Sequence, residues 1–287
     1  MARSSRPTAT CPSETPPGAP VSVGLGLRRP HYRDIVEGRP SVSFFEVLVD
    51  NFVAGGPGLT VLELVAEHYP VCFHSTGMSL GSTDPLNLGY LREVRRLVER
   101  FQPTVLSDHL CWSGVAGIHG HDLYPLPFTA RTVAHVAERI RTAQDLFGRR
   151  LAIENVSAYV GFADSTLSEA DFLAEVAEAA DCDILLDVNN VYVNERNLGI
   201  DPHAYVRRVP AERVVQYHLS GHSDEGTHVV DSHDSRVVPA VWDLYREALR
   251  VIGPRPTSIE WDNAIPPLNI LLEERERAVA VVDEVAS

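Results

Sequence analysis

Short apolar runs recur along this chain, most of them separated by longer stretches with apolar residues at helical spacing. The runs 21-VSVGLGL-27, 44-FFEVLVDNF-52, 71-VCFHS-75, 104-TVLSDHL-110, 151-LAIENVS-157, 183-DILLDVNN-190, 214-VVQYHLSG-221 and 257-TSIEWDN-263 read as strands. Segments 59–69, 90–101, 129–148, 168–180 and 239–253 carry one apolar and one charged face and read as helices, as does the leucine-rich 268–285. Ser168 with Asp171 three residues on has the form of a capping box, and Gly148 and Gly253 stand where helix C-caps belong. Eight strands in this alternation predict a parallel sheet closed as a (β/α)8 TIM barrel; a doubly wound sheet usually has fewer strands and a glycine-rich first turn. The turn 24-GLGLRR-29 lacks the third glycine of a dinucleotide fingerprint. Residues 1–20, rich in Pro, Ser and Thr without periodicity, are expected to be a disordered leader before a single barrel domain at 21–287.

The apolar strands finish in ionisable groups: His74, Asp108 with His109, Glu154, Asp187, His218 and Glu260. In a (β/α)8 barrel those ends converge on one mouth, where active sites of this architecture lie. Carboxylates gathered there repel one another unless protons or cations neutralise them. The chain has no lysine to do so: all 25 basic residues are arginine. Imidazole mixed with carboxylate suits zinc, iron or manganese better than calcium or magnesium. Beyond the seventh strand, 218-HLSGHSDEGTHVVDSHDSR-236 adds His222, His228, Asp231 and His233, and in an extended backbone Asp231 and His233 face the same side. His74, His109, Glu154, Asp187, His218, Asp231, His233 and Glu260 are too many ligands for one ion with an open position, so two or three carboxylate-bridged ions are expected. His31, His68, His135 and His203 are expected to face solvent; His119 and His121, on a long loop after strand four, could be lid, substrate contact or surface.

A net charge of −14 disfavours a nucleic-acid partner, and the absence of lysine excludes Schiff-base catalysis. Cys11, Cys72, Cys111 and Cys182 form no CxxC pair and read as reduced thiols. No apolar run reaches the length of a membrane span or a signal-peptide core, so a cytoplasmic protein is expected.

The phrases 72-CFHSTGMSLGS-82, 107-SDHLCWSG-114, 122-DLYPLPFT-129, 185-LLDVNNVYVN-194, 216-QYHLSGH-222 and 259-IEWDN-263, with the strands around them, resemble the DUF692 or UPF0276 family, which includes the methanobactin-biosynthesis oxidase. The resemblance covers roughly residues 21–280. It implies a xylose-isomerase-like TIM barrel, two or three iron ions of mixed Fe(II)/Fe(III) state, and O2-dependent modification of cysteine or another residue in a ribosomally made precursor peptide. It also implies a small partner protein that presents the peptide. The ligand order is similar, more distantly, to that of endonuclease IV, a trinuclear zinc enzyme. That pattern expects histidine three residues after the strand-six aspartate, where this chain has Asn190, a weaker and harder ligand.

On this reading His74, His109 and Glu154 hold one ion, and Glu154, Asp187, His218 and Glu260 a second. Asp231 and His233, with Asn190, complete a third. Asp187, His218 and Glu260 are the expected catalytic ligands, while Trp112, Asn155 and Trp261 either shape the substrate pocket or pack behind the ligands. The alternatives are a zinc or manganese hydrolase of the endonuclease IV kind, a sugar isomerase, which the missing lysine disfavours, and a noncatalytic metal-binding module.

Overall fold

A computed structural model describes residues 22–287; the expected leader at 1–20 lies outside the described residues. Eight parallel strands close into a barrel: β1 (Val23–Gly26), β2 (Phe45–Leu48), β3 (Val71–Ser75), β4 (Leu106–His109), β7 (Ala152–Glu154), β8 (Asp183–Asp187), β9 (Val214–Leu219) and β12 (Thr257–Ile259). All eight fall inside the apolar runs of the sequence. Two short hairpins stand apart from the barrel, β5 (Trp112–Val115) with β6 (Ile118–Tyr124) and β10 (Ser223–Asp224) with β11 (Val229–Val230).

Helices follow the strands: α1 (Tyr32–Gly38), α2 (Pro57–Ala66), α3 (Leu88–Phe101), α4 (Ala130–Phe147), α5 (Glu169–Ala180), α6 (Val188–Leu198), α7 (Pro202–Arg208), α8 (Pro239–Val251) and α9 (Leu268–Ala286). Their apolar stripes, such as Leu91, Val94, Leu97 and Val98 on α3, are buried in the continuous core between helices and barrel. Ser168 caps α5 as expected, accepting from the Asp171 backbone N–H at 3.1 Å, and Gly148 ends α4 at φ 66°, a left-handed conformation that favours glycine.

Side chains alternate along each strand, and this periodicity layers the barrel interior. Phe44, Cys72, Val105, Ala152 and Leu185 form a small apolar cluster separate from the main core. Two residues further on in the chain come Glu46, His74, Ser107, Glu154 and Asp187, all buried. Gly24 leaves room for the Phe44 ring, which a Cβ at position 24 would meet at 2.5 Å. The barrel is therefore apolar beneath and polar at its C-terminal end.

The structure departs from the sequence expectation in several places. Residues 112–124, expected to be loop, contain the hairpin β5–β6, so His119 and His121 lie on a strand. The strand expected to run to Asn190 stops at Asp187, because Asp187 is the N-cap of α6 and its carboxylate accepts from the Asn190 N–H at 2.6 Å. His31 is buried, with Nε2 donating to the Pro266 carbonyl at 2.7 Å, and His135 is half-buried, whereas His68 and His203 are exposed as expected. Among the described residues Cys72, Cys111 and Cys182 are free and buried, and no helix is long and apolar enough to cross a membrane.

Candidate metal centre

Strand pairing brings the ligands together: His109 pairs in register with Glu154, and Asp187 with His218. His74 Nε2 and His109 Nε2 stand 3.2 and 3.3 Å from Glu154 Oε2 and 3.3 Å from each other. Their opposite ring nitrogens fix the protons. His109 Nδ1 faces the Ser75 carbonyl at 3.2 Å, which can only accept. His74 Nδ1 lies 2.8 Å from Ser107 Oγ, whose own proton goes to the Phe73 carbonyl. Both rings therefore carry hydrogen on Nδ1 and turn lone pairs at Nε2 toward Glu154 Oε2, itself buried without a hydrogen-bond donor. Three lone-pair atoms facing one another with no proton to share make a site for a cation. Burial, followed by the neighbouring His109 and His218, holds the His74 pKa well below its usual value, so this ring is neutral and ready to ligate.

The second cluster shares Glu154. His218 Nδ1 lies 3.1 Å from Glu154 Oε1 and 3.0 Å from Glu260 Oε2, and Asp187 joins these three within ligand distance. Glu46 at 2.9 Å takes the other ring nitrogen of His218 and is fixed in turn by Gln216. This is the carboxylate–histidine arrangement that orients metal-binding imidazoles. Asp187 Oδ1 caps α6, while Oδ2 is buried and unpartnered. Burial opposes charge on His218, but Glu260, Glu46 and Glu154 outweigh it and raise its pKa well above the usual range. Burial, then Asp231 and Glu154, pushes Asp187 well above the carboxylate range. Burial also opposes ionised Glu260, yet His218, followed by His233, holds its pKa well below normal. Without metal these shifts favour protons on His218 and Asp187, which a bound cation would compete with.

The third cluster shares Glu260 and adds His233 and Asp262. His233 Nδ1 lies 2.8 Å from Asp262 Oδ2 and 3.8 Å from Glu260 Oε2, while Nε2 faces Asp231 Oδ1 at 2.8 Å. Asp231 thus sits on the far side of the imidazole from Glu260 and Asp262. Asn190 donates from Nδ2 to the Asn155 carbonyl at 3.0 Å, and its Oδ1 is buried and unpartnered beside Asp187. Arg28, half-buried in the wall, donates from Nε to Asp262 Oδ1 at 2.7 Å.

Above these clusters opens a cavity of ≈640 Å3, walled by Arg28, His74, His109, Asp231, His233 and Glu260 and, across the mouth, by His119 to Leu123 of β6. Trp112, Asn155 and Trp261, expected either to shape the substrate pocket or to pack behind the ligands, are not among the residues that line this cavity. Asn155 commits both ends of its amide to the Asp187 backbone, accepting from N and donating to O at 2.9 Å each. Trp112 stacks on Tyr124, donates to the Pro125 carbonyl and lines a separate hollow of ≈450 Å3 beside the hairpin. Trp261 is buried in the core. Sequence reasoning missed Glu46, a charge inside the apolar run FFEVLV, and Asp262, two residues after Glu260; in each case a carboxylate at or near a strand end was the available signal. Asp108, counted among the strand-end groups, turns away to accept from the N–H groups of His109 and Met78.

Comparisons with known proteins agree with this architecture. A UPF0276 protein of Anaeromyxobacter sp. (strain Fw109-5) is 48% identical over 259 residues, covering 90% of this chain and 92% of the relative. One of Caulobacter vibrioides is 47% identical with the same coverage. Among solved structures, a xylose isomerase-like TIM barrel protein from Mycobacterium smegmatis in complex with magnesium superposes with a TM-score of 0.60 at 15% identity, over 93% of this chain and 98% of that one. Endonuclease IV from Thermus thermophilus gives 0.58 at 17%, over 92% and 98%. At such identities these two likenesses establish the fold alone. Residues 22–283 match the family described as RiPP precursor modification enzyme MbnB/TglH/ChrH. With that match across nearly all the described residues and relatives close to half identical, the chain belongs to the UPF0276 family of RiPP precursor modification enzymes.

Proposed function

We propose that this protein is a multinuclear iron oxidase that uses O2 to modify cysteine, or another residue, of a ribosomally made precursor peptide in the cytoplasm, with a small partner protein presenting the peptide. The observation that carries this reading is the row of three ligand clusters joined through Glu154 and Glu260 at the floor of an open cavity. Family membership supports the peptide substrate. The mixed nitrogen and oxygen donors suit iron, zinc or manganese.

His74, His109 and Glu154 would hold one ion and Glu154, Asp187, His218 and Glu260 the next, with His233, Glu260 and Asp262 forming an outer position. Iron bound there would supply O2 activation and a soft-sulfur binding position for the substrate thiolate. A four-electron oxidation of the cysteine balances the reduction of one O2 to two waters, so no further oxidant is needed. The protein's own part is positional. Glu46 orients His218, Asn155 holds the strand end that carries Asp187, and Arg28 keeps Asp262 beside His233. β6 walls the mouth with His119 and His121 beside whatever segment enters.

Metal analysis of anaerobically purified protein tests the reading: two or more irons per chain, with O2 uptake that depends on the precursor peptide, is the expected result. A single zinc, or none, with no O2 uptake would sink it. Phosphodiester cleavage without O2 would favour the hydrolase alternative, against which stand the net charge of −14 and an amide at position 190.

A further inference from the structure

His233 of the outer cluster comes from the loop after β9 rather than from a barrel strand, and one buried side chain ties that loop to the barrel helices. Asn189, in the first turn of α6, is fully buried between Asp231 and His222. Its Nδ2 lies 2.7 Å from Asp231 Oδ1, and its Oδ1 lies 2.7 Å from His222 Nδ1. Asp231 is paired with His233, His233 with Asp262, and Asp262 with Arg28, so the chain of contacts runs from α6 to the residues after β1.

The roles along this chain are fixed by what each group can do. An ionised Asp231 only accepts, so the amide must turn its NH2 toward it. The Asn189 oxygen then faces His222, and an oxygen only accepts, so His222 must carry hydrogen on Nδ1. The His222 ring is further held by stacking on Tyr192 at 5.0 Å between centroids. Asn189 and His222 therefore each have one hydrogen-bond orientation, and Asp231 is held from the helix side, 2.8 Å from His233 Nε2.

We propose that Asn189 is a positioning residue: by fixing Asp231 it sets the orientation of His233 at the outer metal position, with the His222 tautomer as its visible signature. The metal half of this proposal rests on the multinuclear reading above; the tautomer half does not.

The test compares wild type with N189D and N189S by metal content under a competing chelator and by 15N and 13C NMR of the histidine rings in metal-free protein. N189D sets a carboxylate against Asp231, and N189S leaves both neighbours out of reach, so for metal affinity either serves if the other does not fold. The expected result has three parts. Wild-type His222 is in the Nδ1–H tautomer, N189S loses that signature, and N189D, whose carboxylate can still accept from Nδ1, keeps it. Iron in the outer position binds about 10- to 100-fold more weakly in the variants. The inner ions stay bound. A merely structural asparagine would lower stability without separating outer from inner ions. Full outer-ion affinity in both variants, or a wild-type His222 protonated at Nε2, would overturn the proposal. If wild type holds one metal or none while the His222 tautomer still depends on Asn189, the iron-oxidase reading fails and the Asn189 relay stands.

Discussion

The inner and outer clusters are built from the same residue types by different means. His74, His109, Glu154, Asp187 and His218 belong to barrel strands, are fully or nearly fully buried, and take their spacing from strand register. His233 comes from the long loop after β9, with a left-handed backbone at φ 47° that a non-glycine residue adopts only when its surroundings enforce it. The enforcement is visible: His233 donates its N–H to Gly221 O and accepts at its carbonyl from the N–H groups of Asp262 and Asn263. Gly221 is needed there, because a Cβ would meet the Ser235 carbonyl oxygen at 2.1 Å. The inner ligands are thus preorganised by the fold itself and the outer ones by a web of local hydrogen bonds. Metal held by the first group should be tight and slow to exchange, and metal held by the second weaker and selectively removable.

The largest effect should come from breaking what the inner positions share. E154Q keeps the shape of the bridge and removes its charge, and metal per chain should fall to at most one ion with loss of peptide-dependent O2 uptake. Undiminished metal content in E154Q would refute the bridging role. Asp187 allows ligand and cap to be separated. D187A removes both, costing about 1 kcal/mol of stability as a lost N-cap together with inner metal. D187N keeps a capping oxygen, so it should lose metal while unfolding in urea nearly as wild type does. Full metal content in D187N, with metal and stability lost only in D187A, would mean that Asp187 is only a cap.

At the outer cluster the expected effect is smaller and confined to one ion. H233A should weaken the outermost metal by at least about 10-fold, the scale of losing an orienting partner, while leaving the inner pair in place under chelator challenge. Simultaneous loss of all ions would show that the two regions are one cooperative site and would erase the distinction drawn between them.

How much of this was legible in the sequence follows the same division. Apolar runs located the eight barrel strands, and the His, Glu and Asp side chains that cluster at their C-terminal ends could be picked out from position alone, because strand ends and barrel mouth coincide in this architecture. The join between β8 and α6 was misread because no loop separates them: Asp187 is at once the last strand residue and the helix cap, so VNN reads as strand when only the apolar run is followed. The hairpin 112–124 hid because glycines interrupt it and most of β6 is exposed, so no sustained apolar alternation marks its strands. Of the two alternatives the sequence left open for Asn155, its contacts favour packing behind Asp187, which no spacing rule contains. An asparagine beside a ligand can satisfy its amide on a neighbouring backbone, and here the Asp187 peptide groups present the matching donor and acceptor. His31 was hidden likewise, since its partner, the Pro266 carbonyl, is 235 residues away.

The smallest effect sharpens the comparison from outside the ligand sets. Glu169 on α5 is buried with Asn194 and Tyr205, and burial raises its pKa to about 7 from an ordinary 4.5. Asn194 also holds the Val156 carbonyl and the Ala158 N–H, in the segment that leaves β7 just after Glu154. Between pH 4.5 and 7 the folded state keeps the Glu169 proton that the unfolded chain has lost, so stability falls as pH rises through that window and is level above it. The full drop is about 3 kcal/mol on the linkage scale of 1.36 kcal/mol per pKa unit. E169Q is neutral at every pH and can make both contacts, accepting from Asn194 and donating to the Tyr205 oxygen. In urea unfolding the variant should match wild type near pH 4 and exceed it at pH 8, with the inner metals still bound. Parallel pH profiles for the two proteins would show that Glu169 is ionised in the fold, and the strand-held region would then owe nothing to a buried proton beside it.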